Sequence, residues 1–106
     1  MKDNNLNIEG YWYSKYEPEY PMPVPNVLTD NEATEIYSLI VEKQKIARRI
    51  LYRGLSHSRI TDETLGCDEY ALNNWIWPGD FAEHYVLTHK VRPTDEFLNF
   101  IGYNYL

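Results

Sequence analysis

The chain is short of cysteine, glycine and positive charge, and each shortage removes a class of protein. Its single cysteine, Cys67, cannot close an internal disulfide, so a disulfide framework is excluded and nothing points to an oxidising compartment. The 5 glycines are scattered, and no glycine-rich phosphate loop, nucleophile elbow or metal-hydrolase motif can be written over them. Cations are outnumbered, with 10 Lys and Arg against 16 Asp and Glu, for a formal net charge of −6. That balance argues against a nucleic-acid surface, which needs a basic patch to displace counterions, and against attraction to anionic lipid. It suits a basic protein partner, and equally a charge that only keeps a small protein soluble. No apolar run approaches membrane-spanning length, and residues 1–7 hold no apolar leader segment. The expectation is a soluble, cytoplasmic protein.

Tyrosine, by contrast, is abundant: 10 residues beside 3 Trp and 3 Phe. Its apolar body and polar tip suit half-buried positions and contact surfaces. The 106 residues make one domain, read as an extended aromatic and Pro-rich arm over 1–27 and a compact core over 28–106. Residues 1–7 are polar and expected to fray. Gly10-Tyr11-Trp12-Tyr13 favours extended backbone, and Pro18, Pro21, Pro23 and Pro25 forbid a regular ladder. Such an arm is expected to wrap the chain's own core, with docking on a partner as the alternative.

The core reads as α+β, with one long amphipathic helix, a β-hairpin and two short C-terminal helices. Thr29 or Asp30 caps the first helix, and Glu32 and Glu35 favour its positive end. Ile36, Leu39, Ile40, Ile46, Ala47, Ile50 and Leu51 keep helical spacing, which carries the expected helix to an exit at Gly54. Lys43, Lys45, Arg48 and Arg49 lie toward its negative end and are read as a solvated face. Alternation at Tyr70 and Leu72, then Asn73-Asn74, then Trp75-Ile76-Trp77, spells a hairpin stopped by Pro78-Gly79. Asp80 is a plausible N-cap for a helix from Phe81 to about His89, with Phe81, Tyr85 and Val86 inward. Thr94 caps a last helix ended by Gly102, with Phe97, Leu98 and Ile101 on one face.

The stretch around Trp77-Pro78 is where a site is expected, because two of the chain's 3 histidines, His84 and His89, follow it. A His-x4-His spacing serves structural zinc sites when a Cys-x2-Cys knuckle supplies the other ligands. No such knuckle precedes it, so no metal is expected. If one were held, the set would be His57, Cys67, His84 and His89. A small enzyme using His84 as base is a third reading, with His89, Glu83, Asp80 and Cys67 as neighbours. Cys67 stands beside Asp68 and Glu69, whose carboxylates blunt a thiol's reactivity.

The segments Arg53-Gly54-Leu55-Ser56-His57-Ser58-Arg59-Ile60-Thr61, Trp77-Pro78, His84-Tyr85-Val86 with His89, and Gly10-Tyr11-Trp12 resemble a small group of bacterial proteins. That group carries a zinc-knuckle-like domain with an Arg-Gly-x-Ser-x-Cys-Arg-x-Cys-Gly knuckle, a hairpin ending in Trp-Pro, and His-Tyr-Val-x-x-His. The resemblance spans most of the chain through short motifs. It implies that the two knuckle cysteines are replaced by Ser58 and Thr61. Ser58, Thr61, His84 and His89 would then be neighbours held by packing and hydrogen bonds. Hydroxyls are poor zinc ligands beside thiolates, so the alternative to the leading expectation is a degenerate zinc-finger-like module, one that would still bind metal through His84, His89 and Cys67. That leading expectation is a non-enzymatic, acidic, cytoplasmic protein-binding domain of the immunity or antitoxin type, occluding a basic toxin or nuclease. No cofactor is expected. The expected contact residues are Tyr16, Glu17, Glu19, Tyr20, Asp62, Glu63, Asp68 and Glu69.

Overall fold

The computed structural model describes residues 2–3, 6–15, 17–51 and 56–103. The fold is α+β, as its sequence pattern implies. Strands β1 (Lys2–Asp3), β2 (Leu6–Ile8), β3 (Arg48–Leu51), β4 (Asp68–Leu72) and β5 (Trp75–Pro78) form one sheet in the order β1-β2-β5-β4-β3. The β2–β5 pair is parallel and the others are antiparallel. Helices α1 (Asp30–Ile46) and α2 (Asp95–Ile101) and a π-helix (Phe81–Thr88) complete the chain.

Helix α1 begins where its caps demand. Thr29 Oγ1 accepts from Glu32 N at 3.1 Å and Glu32 Oε1 accepts from Thr29 N at 2.9 Å, a reciprocal capping box. Ala33, Ile36 and Ile40 bury its inner face. The helix ends earlier than its periodicity implies. Ala47 is extended, and Arg48–Leu51 pairs with β4 instead of making two more turns. Ile46 and Leu51, expected on the core face, are 70% and 65% exposed. The open edge of β4 takes this segment as its partner, and tertiary context overrides local preference. Gly54, the expected exit, lies outside the described residues.

The hairpin turns at Asn73, whose φ of 56° is left-handed, and Leu72 pairs with Trp75 across it. Tyr70 stacks on Trp77 at 6.1 Å. Trp75 and Trp77 then meet Phe97 and Phe100 at 5.2–6.0 Å between ring centroids. Trp77, Phe81, Phe97, Ile36, Ile40 and Leu98 are the largest fully buried side chains.

Within the stretch expected to fray, the described residues 2–3 and 6–7 are strands. Asn7 N donates to Asn74 O at 2.7 Å and Glu9 N to Ile76 O at 3.0 Å, so the start of the expected arm is a strand of the core sheet. The free edge of β5 supplies the reason, since a buried strand needs partners on both sides. Gly10 then reverses the chain at φ 80°, where a Cβ would meet the Phe81 ring at 2.6 Å. Beyond it the arm does wrap the core. Trp12 packs on Phe81 and Tyr85, Pro23 and Leu28 are buried, and Val27 N donates to Lys90 O at 2.9 Å.

Helix α2 matches its signals. Thr94 Oγ1 accepts from Phe97 N at 3.3 Å and Gly102 closes the helix at φ 85°. The 81–88 segment does not behave as an α-helix. Its bonds run from residue i+5 to i, as in His89 N to His84 O at 3.1 Å. The Asp80 side chain makes no cap bond there, contrary to its expected role.

Candidate functional site

The π-helix creates the site. In an α-helix, residues five apart point about 140° away from each other. An i+5 bonding pattern brings them to one face, and the rings of His84 and His89 lie 4.7 Å apart. Opposite them sits the loop 56–66. It is closed by Ser58 N to Glu63 O at 2.8 Å and Leu65 N to Ser56 O at 2.8 Å, with Asp62 left-handed at φ 65°. This turn presents Ser58 and Glu63 to the histidines, while the exposed Thr61 reaches them only through Glu63.

Ser58 is 3% exposed and fully engaged. Its Oγ accepts from Ile60 N and Thr61 N, both at 3.0 Å, and lies 2.7 Å from His84 Nε2. Two accepted bonds use both lone pairs, so the hydroxyl proton goes to Nε2. This assigns His84 the tautomer protonated at Nδ1, and Nδ1 lies 3.6 Å from Glu63 Oε1. Thr61 Oγ1 donates to the same Glu63 oxygen at 2.8 Å. Burial, then the neighbouring His89, push the His84 imidazole below its ordinary value, against the pull of Glu63 and Asp80. His84 is therefore a neutral, hydrogen-bonded ring at neutral pH.

The four residues of the knuckle pattern, Ser58, Thr61, His84 and His89, do not fit zinc. The two hydroxyls are committed to other partners, and Ser58 occupies His84 Nε2. The four-residue set His57, Cys67, His84 and His89 is not assembled either. His57 is exposed in a bridge to Thr64, and Cys67 is free. Among the described residues, the group placed to hold an ion is Glu63, His84 and His89, whose donor atoms lie within 4.8 Å of one another. Spacing missed Glu63 because the Asp62 turn, and no motif, delivers it.

Beside the cluster lies an open cleft of about 440 Å³, lined by Glu63, Asp68, Asp80, Glu83, His84 and Thr88, with Gly66 and Gly79 also in its wall. Four carboxylates face it. Asp80 is half-buried, with Oδ2 2.8 Å from Ser56 Oγ. Burial raises its carboxyl above the ordinary value, opposed by Ser56 and His84.

The expected contact residues separate on this geometry. Glu17, Glu19, Asp62 and Glu63 are exposed. Tyr20 is half-buried against Tyr11, and Tyr16 lies outside the described residues. Asp68 and Glu69 are not free surface acids. Asp68 Oδ2 accepts from Arg49 Nε at 2.7 Å, with its side chain 15% exposed, and Glu69 accepts from the Tyr11 hydroxyl. Their strand pairs with β3, an element the helical reading of 48–51 had hidden.

Comparison with protein-family models, with curated proteins and with solved structures finds no match for this chain.

Proposed function

We propose that this chain is a non-enzymatic protein-binding domain of the immunity or antitoxin type, and that it occludes a basic protein. The observation that carries this is the cleft walled by Glu63, Asp68, Asp80 and Glu83. A concave surface of one sign focuses its field and attracts a cationic side chain. A Lys or Arg entering it would relieve the mutual repulsion of these carboxylates. The formal charge of −6 extends that field over the molecule. Glu63 and Glu83 are the exposed acids of the cleft, with Asp62 beside Glu63 in sequence and Glu17 and Glu19 of the arm as further exposed acids. Asp68 acts through the cleft wall, since it already binds Arg49.

The test is titration calorimetry of the partner with wild type and with Glu63→Lys/Glu83→Lys at two salt concentrations. The expected result is a loss of roughly tenfold or more in affinity and a flatter salt dependence for the variant. Equal affinities and equal slopes would remove the electrostatic basis of the reading.

A second reading, a degenerate zinc-finger-like module, is favoured by the 2.7 Å contact between Ser58 and His84 beside His89. In it, a proton and a hydroxyl tie the loop to the helix where a thiolate and a metal would otherwise do so. Chelator should leave the thermal midpoint of the wild type unchanged. Ser58→Cys/Thr61→Cys should acquire a zinc-dependent rise in midpoint and, with cobalt, thiolate charge-transfer absorption. A double variant blind to both metals would count against this reading.

A further inference from the structure

The end of β2, the arm and residues 91–94 border a second, half-open cavity of about 300 Å³, which shares no residue with the acidic cleft. Its walls are mostly apolar and include the rings of Tyr11, Trp12 and Tyr20 with Met22 and Val91. The rings of Tyr11 and Tyr20 stand 6.4 Å apart at 47°, and Trp12 is fixed by packing on Phe81 and Tyr85. Into this aromatic setting the fold places one carboxylate, Glu9, which is only 5% exposed. Glu9 Oε2 accepts from Thr94 N and Oε1 from Thr94 Oγ1, each at 2.8 Å. A carboxylate has about four acceptor positions, so these bonds hold it without saturating it. Among the described residues no Lys or Arg is paired with it. The cation at the rim, Arg92, reaches Asp95 at 2.8 Å instead.

A buried carboxylate with no Lys or Arg paired to it is costly, and aromatic faces attract cations. A neutral ligand would leave the charge uncompensated, and an anionic one would oppose it. We propose that this cavity binds an alkylammonium group, with Glu9 as its counter-ion and the rings of Tyr11, Trp12 and Tyr20 as its walls. The alkyl stem lies along Met22 and Val91. The group is supplied either by a free amine or by a lysine side chain of another protein. The assignment stands apart from the reading of the acidic cleft.

Nuclear magnetic resonance titration of the full chain tests it with three probes: butylammonium, its neutral isostere butanol, and acetyl-lysine methylamide. Butylammonium should give saturable shifts at residues 9–12, 20–22 and 91–94, with a dissociation constant on the order of 1 mM. Butanol should bind roughly tenfold more weakly. Glu9→Gln should abolish the preference for the cation. Tyr20→Ala, which leaves the buried carboxylate in place, should weaken butylammonium roughly fivefold. Lysine binding equal to that of butylammonium assigns the natural source to a protein side chain, and binding of the free amine alone assigns it to a small molecule. Absence of saturable shifts at these residues overturns the proposal. So does equal binding of butanol, or butylammonium binding unchanged by Tyr20→Ala.

Discussion

A few side chains hold more of this molecule than their size suggests. Ser58 is the clearest, since one hydroxyl satisfies two backbone N–H groups and orients His84. Ser58→Ala should cost roughly 1–3 kcal/mol, read by urea unfolding, because it leaves buried partners unpaired. Gly10 is comparably constrained, with positive φ and the Phe81 ring where a Cβ would go. Gly10→Ala should cost at least roughly 2 kcal/mol on the same measurement. The titrating groups pull in opposite directions. The folded-state value of His84 is lowered from 6.5, so just below 6.5 the unfolded chain binds the extra proton. Its contribution is therefore complete above that window and declines as pH falls into it. Glu9 and Asp80 are raised by burial from 4.5 and 3.8, so their contribution is complete below those values and declines as pH rises past them. Unfolding free energy should drop between about pH 7.5 and pH 6, and His84→Gln should shrink that drop. An undiminished drop in the variant would assign it to other groups.

At the scale of elements, the caps were legible and the contest between structures was not. Thr29 with Glu32, and Thr94 with Gly102, mark two helices from residue type alone. Thr29→Ala should cost about 1 kcal/mol in chemical denaturation. Asn73-Asn74 between alternating residues marks the hairpin equally well. The stretch from Ile46 to Leu51 was not legible, because its apolar spacing suits a helix and its β-branched residues also suit a strand. Only the open edge of β4 decides between them. The π-helix has no signature in composition, yet it turns a His-x4-His spacing into a contact. Glu63 joins the histidines through a left-handed turn at Asp62, which no local pattern announced. The candidate site was thus visible as two histidines and invisible as a cluster.

At the scale of the whole molecule, charge and shape point the same way. A chain with a formal charge of −6 concentrates Glu63, Asp68, Asp80 and Glu83 around one concavity instead of spreading them evenly. The proposed occlusion of a basic protein rests on that concavity. The most direct measurement is native mass spectrometry at low salt, on wild type and Glu63→Lys/Glu83→Lys recovered side by side from the host cell. The account predicts a one-to-one complex with a basic protein for the wild type, lost or sharply reduced for the variant. A bare wild-type monomer, or a complex that both forms retain equally, would contradict it.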